Sequence, residues 1–439
     1  MQPDAGQPIF HSITLDSAKC VGCTTCMRFC PTEAIRVRSG RAIITAERCV
    51  DCGECMRVCP HGAKKAFTDS LEAIHAFPIR VAIPAPTLYG QFDERFDVDC
   101  ILSGLLSLGF TDVLEVAWAA EWVGATARTW IDSSNDPGPW ISSACPAVVN
   151  LLQVRFPSLL DRLVPVLSPM EAAARYVKET LYPGRSDVGV FFISPCAGKM
   201  TASRRPYGVE VSAVDGVIGI KDVYVPLLNA LPGLQARPLR RAGPGGLAWA
   251  RADGESESIG QASSISVCGI DHVAGIFEAM ENGTLMAPIF IEALACRAGC
   301  VGGPLTVENP YIARARIKSR ERMALPCPPL HAPTLEPMQE PAREPGNESD
   351  PEPLCLTWSQ PVKARPALRL DADMTKAMAV MEKMEEVAAT LPGLDCGSCG
   401  APNCKAFAED VARGDAVITD CILKLRERYQ ELAGTSGSA

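Results

Sequence analysis

The chain of 439 residues lacks any run of eighteen apolar residues, so no segment is expected to span a membrane. It has no charged start followed by an apolar stretch and a cleavage site, and no Arg-Arg pair near its beginning. Neither the general nor the twin-arginine export route is therefore expected, and a cytoplasmic location is. A basic patch is also missing. The formal net charge is -9, and the Arg204-Arg205 and Arg240-Arg241 pairs read as solvated surface, so nothing suggests nucleic acid as a partner. The stretch 326–366 is poor in aliphatic residues and rich in proline and glutamate. It cannot bury enough apolar surface to offset its ordering and reads as an extended linker.

What the chain has is cysteine, twenty in all. In a chain without export signals these thiols are expected to be metal ligands in a reducing compartment. Eight fall into two copies of one spacing: Cys20, Cys23, Cys26 and Cys30 before Pro31, then Cys49, Cys52, Cys55 and Cys59 before Pro60. The duplicated C-x2-C-x2-C-x3-C-P run is the mark of a two-cluster ferredoxin, in which the fourth cysteine of each run ligates the other cluster. One 4Fe-4S cluster is thus expected on Cys20, Cys23, Cys26 and Cys59, the other on Cys49, Cys52, Cys55 and Cys30. Zinc and disulfides are the alternatives for such a set, but zinc sites rarely use three cysteines at this spacing ending in proline.

The pattern then alternates. Ile79 to Ile83, Val113 to Ala117, Val188 to Ile193 and Val214 to Ile220 read as strands. Pro146 to Leu160, Met170 to Leu181 and Ile270 to Asn282 have helical length and period. This suggests an α/β domain with much parallel sheet, whose cofactors sit in loops beyond strand ends. The expected organisation is α/β multidomain: a ferredoxin-like two-cluster module over 1–75, an α/β domain over 76–325, a Pro-rich linker over 326–366 and a small helical iron–sulfur domain over 367–439. In the last, Met374, Ala377, Met378, Met381, Met384 and Val387 form an apolar stripe expected to pack. Cys396, Cys399, Cys404 and Cys421 can converge on a further 4Fe-4S cube and resemble the four-cysteine domain of corrinoid and related redox proteins. Zinc stays open there, because a C-x2-C pair is shared with zinc sites.

Four central cysteines lie in loop contexts: ISSACPAVV with Cys145, ISPCAGKM with Cys196, and IEALACRAGCVGGP with Cys296 and Cys300. In order and spacing these segments, with the ferredoxin portion before them, resemble the signature motifs of the FeFe-hydrogenase family. The resemblance implies that the four cysteines hold the cubane of the H-cluster, with Cys300 bridging to a diiron site that carries CO, cyanide and a dithiolate amine and acts on H2 and protons. It further implies that Lys199 donates to one cyanide, that the Pro86-Thr87 turn approaches the other, and that Glu292 fills the glutamate position of the third motif. An ammonium against an anionic ligand makes a charge-assisted hydrogen bond. Gly299, Gly302 and Gly303 permit close backbone approach to a bulky centre. Cys100, Cys268, Cys327 and Cys355 are left as small core or linker side chains.

The chain also departs from the catalytic members of that family. Their proton-shuttling cysteine is Ala144 here, and alanine has no exchangeable proton. The stretch Trp122 to Ile131, aligned with the family's acidic helix, contains no carboxylate. Ser194, ahead of Pro195 and Cys196, and Leu294 replace methionines, and Ala202 replaces a glutamate, which alters polarity around the metals. The combination resembles the family's sensory branches. Three functions follow: a hydrogen sensor with slow turnover that relays electrons to a redox or signalling partner, an efficient hydrogenase with another proton route, or an iron–sulfur relative with no diiron site.

Overall fold

The computed structural model describes residues 9–261, 263–285, 289–324 and 354–435. Cys327 and most of the Pro-rich stretch lie outside them. The first module has four short strands: β1 (Ile13–Leu15), β2 (Ile35–Arg38), β3 (Arg41–Ile44) and β4 (Lys64–Ala66). β1 pairs antiparallel with β4, and β2 with β3. Each cysteine run folds into one helical turn, Thr25–Arg28 or Glu54–Arg57, entered through a left-handed residue, Thr24 or Gly53. Met27, Ile35 and Ala63 fill the small core between the turns.

The central region has two parallel sheets. β5 (Ile79–Pro84), β6 (Asp112–Val113), β8 (Val188–Ser194) and β9 (Gly216–Gly219) form one in the order β6-β5-β8-β9. β7 (Trp140–Ile141), β10 (Ser264–Cys268) and β11 (Phe290–Leu294) form the other in the order β10-β11-β7. All the pairings within them are parallel. β8 is buried at every position, as a strand covered on both faces must be. The loops carrying Pro86, Cys145, Cys196 and Cys296 leave the carboxyl ends of β5, β7, β8 and β11, where ligands of open α/β sheets gather.

Several elements differ from the sequence reading. The strand read over Val113 to Ala117 ends at Val113, and a helix runs from Val116 to Ser133. Its buried face, from Ala117 and Ala120 to Ala127 and Ile131, follows helical spacing and overrides the β-branched start. Val214 to Ile220 is strand only at Gly216–Gly219, and Ile220 opens a helix. The helix after Cys145 stops at Arg155, because Pro157 cannot continue it, and a 3-10 segment, Pro157–Arg162, follows. The helix from Pro169 passes at Arg175 into a π-helical segment, Tyr176–Leu181.

The last region is helical: Met374–Thr390, Cys404–Arg413 and Ile422–Thr435, with Phe407, Ala406 and Cys421 at its core. The methionine stripe does not pack as expected. Met374, Met378 and Met381 are 74%, 65% and 53% exposed, while Ala377, Met384 and Val387 are half-buried. Periodicity identified an apolar stripe wider than the face that the neighbouring helix covers.

The end of the stretch read as a free linker is also ordered. The Leu167 amide donates to the Leu356 carbonyl at 2.7 Å, and the Arg365 amide to the Gln153 carbonyl at 2.8 Å. The Trp358 ring sits over Gly208 and meets Tyr207 edge-on at 6.2 Å. Backbone pairing and one large ring hold down a segment whose composition offers little else. Trp358→Ala should therefore cost about 2 kcal/mol in denaturant unfolding and speed proteolysis within 354–366. Unchanged stability and cleavage would mean that this strap contributes nothing to the fold.

Candidate metal centre

Cys145 and Cys196 each cap the N-terminus of a helix, Pro146–Arg155 and Ala197–Arg204, where the positive end of the backbone dipoles favours a thiolate. Cys296 and Cys300 follow β11. The four line one cavity with Pro86, Thr87, Ala144, Pro195, Lys199, Glu292 and Leu294. Ser194 lies just behind the wall: its hydroxyl accepts from the Cys196 amide at 3.0 Å and donates to the Cys196 carbonyl at 2.9 Å, which fixes the turn. The loop after Cys300 closes against that turn. A Cβ on Gly303 would stand 2.3 Å from the Pro195 carbonyl, so only glycine fits.

Burial pushes three of these thiols up, Cys196 to about 11, and Cys296 and Cys300 well above their ordinary range, with neighbouring thiolates adding to the effect. Burial pushes the Lys199 ammonium down, and Cys196, Cys145 and Cys300 pull it back. Its Nζ donates to the Ala144 carbonyl at 3.0 Å. The Thr87 hydroxyl is buried without a hydrogen-bond partner. Four thiols that need a cationic partner, a buried ammonium and a buried polar orphan lining one cavity fit an anionic iron–sulfur group with polar ligands.

Two carboxyls share this cavity. Glu292 was singled out in the sequence; Glu255 was not. Both Glu255 oxygens accept from the Ser142 hydroxyl, at 2.8 and 2.7 Å, and the Ala144 amide donates to that hydroxyl at 3.2 Å. The Glu292 Oε2 accepts from the Ser256 amide at 2.9 Å, while its Oε1 is buried without a hydrogen-bond partner. Burial raises both carboxyls well above the usual range, and the charge of Glu292 pushes Glu255 further. The only sequence signal for Glu255 is an acid inside a helix, Gly254–Ile259, that carries no motif. Glu121, one residue before the carboxylate-free stretch, lies on the helix Val116–Ser133 and accepts from the Gly246 amide at 3.1 Å.

The ferredoxin module presents two more thiol-lined cavities. Cys20, Cys23, Cys26 and Cys59 line one, and Cys30, Cys49, Cys52 and Cys55 the other, so each takes three cysteines from one run and one from its partner. The Lys64 Nζ is buried without a hydrogen-bond partner, and its charge acts on both Cys26 and Cys55. Cys52 also lines the central cavity, so these two cavities share a wall. In the last region Cys399 lies near enough to Cys396 and Cys421 to respond to their charge, and Cys404 opens the helix capped by Asn403. Cys268, paired in register with Leu294, is raised by burial and by Glu292, whereas Cys100 and Cys355 lie away from these thiol sites.

Comparison with known proteins matches residues 79–229 to the C-terminal domain of the iron-only hydrogenase large subunit. Residues 19–63 match a 4Fe-4S dicluster domain, and residues 391–423 an Fe-S cluster domain. Iron hydrogenase 1 of Clostridium pasteurianum is 26% identical over 369 residues, covering 66% of this chain and 64% of that protein. The periplasmic Fe hydrogenase large subunit of Nitratidesulfovibrio vulgaris is 29% identical over 227 residues, covering 46% and 54%. The chain thus spans less than two thirds of the length of either relative. A solved structure of the FeFe-hydrogenase HydA1 from Chlamydomonas reinhardtii superposes with a TM-score of 0.45 at 16% identity, covering 57% of this chain and 88% of that one. The ordered cysteine motifs and the matching models agree: residues 79–229 are similar to the iron-only hydrogenase large subunit, and they lie between a 4Fe-4S dicluster match and an Fe-S cluster match.

Proposed function

We propose that this protein is a hydrogen sensor that turns over H2 slowly and reversibly and passes the resulting electrons through accessory 4Fe-4S clusters to a redox or signalling partner. Cys145, Cys196, Cys296 and Cys300 would hold the central cube in this reading, and Cys300 would link it to the diiron unit. When bound, that unit supplies the open iron at which H2 is split or formed. Lys199 and the Pro86-Thr87 turn position its diatomic ligands, and Ser194, Pro195 and Leu294 shape the wall. Cys20, Cys23, Cys26 and Cys59, then Cys30, Cys49, Cys52 and Cys55, hold the two ferredoxin cubes, and Cys396, Cys399, Cys404 and Cys421 hold a fourth. The protein acts in the cytoplasm, over domains bounded near residues 75, 325 and 366.

The observation that carries the reading is the environment of Ala144. Its methyl group stands where the resemblance places a thiol, and its backbone is held from both sides, by Lys199 at the carbonyl and by Ser142 at the amide. No side chain at 144 can move a proton. Behind it, Ser142 and Glu255 form a hydrogen-bonded pair in which Glu255 retains a proton at neutral pH. Protons therefore reach the cavity by a poorer route, which favours signalling over flux. The second reading, an efficient hydrogenase, is favoured by the same observation if the Glu255 carboxyl delivers protons quickly.

Two substitutions separate them in chain loaded anaerobically with iron, sulfide and a diiron mimic. Ala144→Cys should raise hydrogen evolution, because it restores an ionisable group at the cavity wall. Glu255→Gln should lower hydrogen–deuterium exchange by about a hundredfold with iron content unchanged. Wild-type turnover as fast as that of prototypical hydrogenases would overturn the sensor reading.

The carboxyl can also be tested through stability. Burial, then Glu292, holds Glu255 at about 8 against an ordinary 4.5, so the folded chain binds more protons than the unfolded one between those values. Stability should therefore fall as pH rises through that window, and Glu255→Gln should flatten the fall in denaturant midpoints. An identical slope in the variant would show that Glu255 is not buried with its proton.

A further inference from the structure

The cysteine loop of the last region is pressed onto the ferredoxin module. The Val37 amide of β2 donates to the Gly400 carbonyl at 2.8 Å, and a Cβ on Gly400 would stand 1.9 Å from the Val37 carbonyl. A Cβ on Gly397 would meet Met27 Cε at 2.8 Å. These glycines follow Cys396 and Cys399 directly, and both have left-handed backbones, φ 75° and 76°. No side chain thus separates the two backbones at Val37 and Gly400. Val37 itself lines the cavity of Cys20, Cys23, Cys26 and Cys59.

Charge holds the contact. Arg28 Nη2 donates to the Cys396 carbonyl at 2.5 Å, and Arg38 Nη1 to the Cys399 carbonyl at 3.1 Å. Arg36 and Arg38 meet Asp410 at 2.8 and 2.6 Å, and Arg48 meets Glu409 at 2.5 Å. Arg413 also pairs with Glu409, at 2.9 Å, and Asn403 donates to Glu33 at 2.7 Å. Five guanidiniums face three carboxylates here. Arg36, Arg48, Glu409 and Asp410 are nearly buried, which separates this network from a loose surface pairing. The surplus positive charge lies where two thiolate-ligated, anionic centres would face each other.

We propose that the Cys396, Cys399, Cys404 and Cys421 site is the outer terminus of the electron chain, exchanging single electrons with the Cys20, Cys23, Cys26 and Cys59 site across the Gly400–Val37 contact. This rests on the reading that both sites hold cubes. One electron leaves the inner site and reduces the outer one, or the reverse, with no proton or bond exchanged. Arg28 and Arg38, donating to the carbonyls of two outer ligands, favour the outer site's reduced, more negative form and raise its potential. The order inward is then the outer site, the Cys20 site, the Cys30 site that shares Cys52 with the central cavity, and the central cavity.

The test uses full chain reconstituted with iron and sulfide, reduced, and followed by electron paramagnetic resonance during a redox titration. Cys399→Ser should remove one cluster signal together with the spin–spin splitting it imposes on another. In Arg28→Gln/Arg38→Gln the outer cluster's reduced fraction at fixed potential should fall up to about tenfold, equivalent to about 59 mV for one electron. The other clusters should keep their potentials. Glu409→Gln/Asp410→Asn loosens the contact without touching the ligand loop and should weaken the splitting with iron content unchanged. If Cys399→Ser loses no cluster, the reading of a fourth cube fails. If it loses one that showed no splitting, and the arginine pair leaves its potential unmoved, the cube stands and the electron route proposed here is overturned.

Discussion

A thiolate in a dry cavity must have a cation beside it, and that constraint organises this protein. Removing an anion from water costs several kcal/mol even after relaxation, so buried thiols keep their protons unless positive charge meets them. Cys196, Cys296 and Cys300 of the central cavity and Cys49, Cys52 and Cys55 of the ferredoxin module are raised for this reason. The chain offers partial compensation through Lys199 and Lys64 and through the helix starts after Cys145 and Cys196. Iron supplies the remainder in the reading advanced here.

The fold meets the same constraint by convergence. Loops from the carboxyl ends of two separate parallel sheets enter one cavity, and the Gly303–Pro195 contact locks two of them together. The ferredoxin module joins through Cys52, and the last region through β2 and its arginines. The Cys30 site thus shares Cys52 with the central cavity, and Val37 stands between the Cys20 site and the cysteine loop of the last region. Glu255 and Glu292 line the central cavity themselves, held by Ser142 and by the Ser256 amide, so proton-holding groups stand beside the thiols there.

Much of this was legible in the sequence because ligand spacing is local. Two cysteines on one tight loop must project together, so Cys20 to Cys30 and Cys296 to Cys300 announce their sites without knowledge of the fold. Glu255 gave no such signal: it reaches Ser142 only because the Gly254–Ile259 helix packs beside β11, which no window of sequence contains. The methionine stripe from Met374 shows the complementary failure, since periodicity reports that an apolar face exists and not what covers it. Nothing in the sequence ties Arg36 and Arg38 to Asp410, because 372 positions separate Arg38 from its acid. The Leu354–Pro366 strap was misread because composition measures what a segment can bury alone, and its order comes from the surface beneath it.

The central claim is that the Cys145, Cys196, Cys296 and Cys300 cavity holds a group that responds to H2. The most direct measurement is infrared spectroscopy of the full chain, reconstituted with iron, sulfide and a diiron mimic, under hydrogen and then under inert gas. The account requires CO and cyanide bands that shift reversibly between the two atmospheres, with cyanide bands displaced in Lys199→Gln. Absence of such bands in protein with its cubes fully loaded, or bands indifferent to hydrogen, would contradict it.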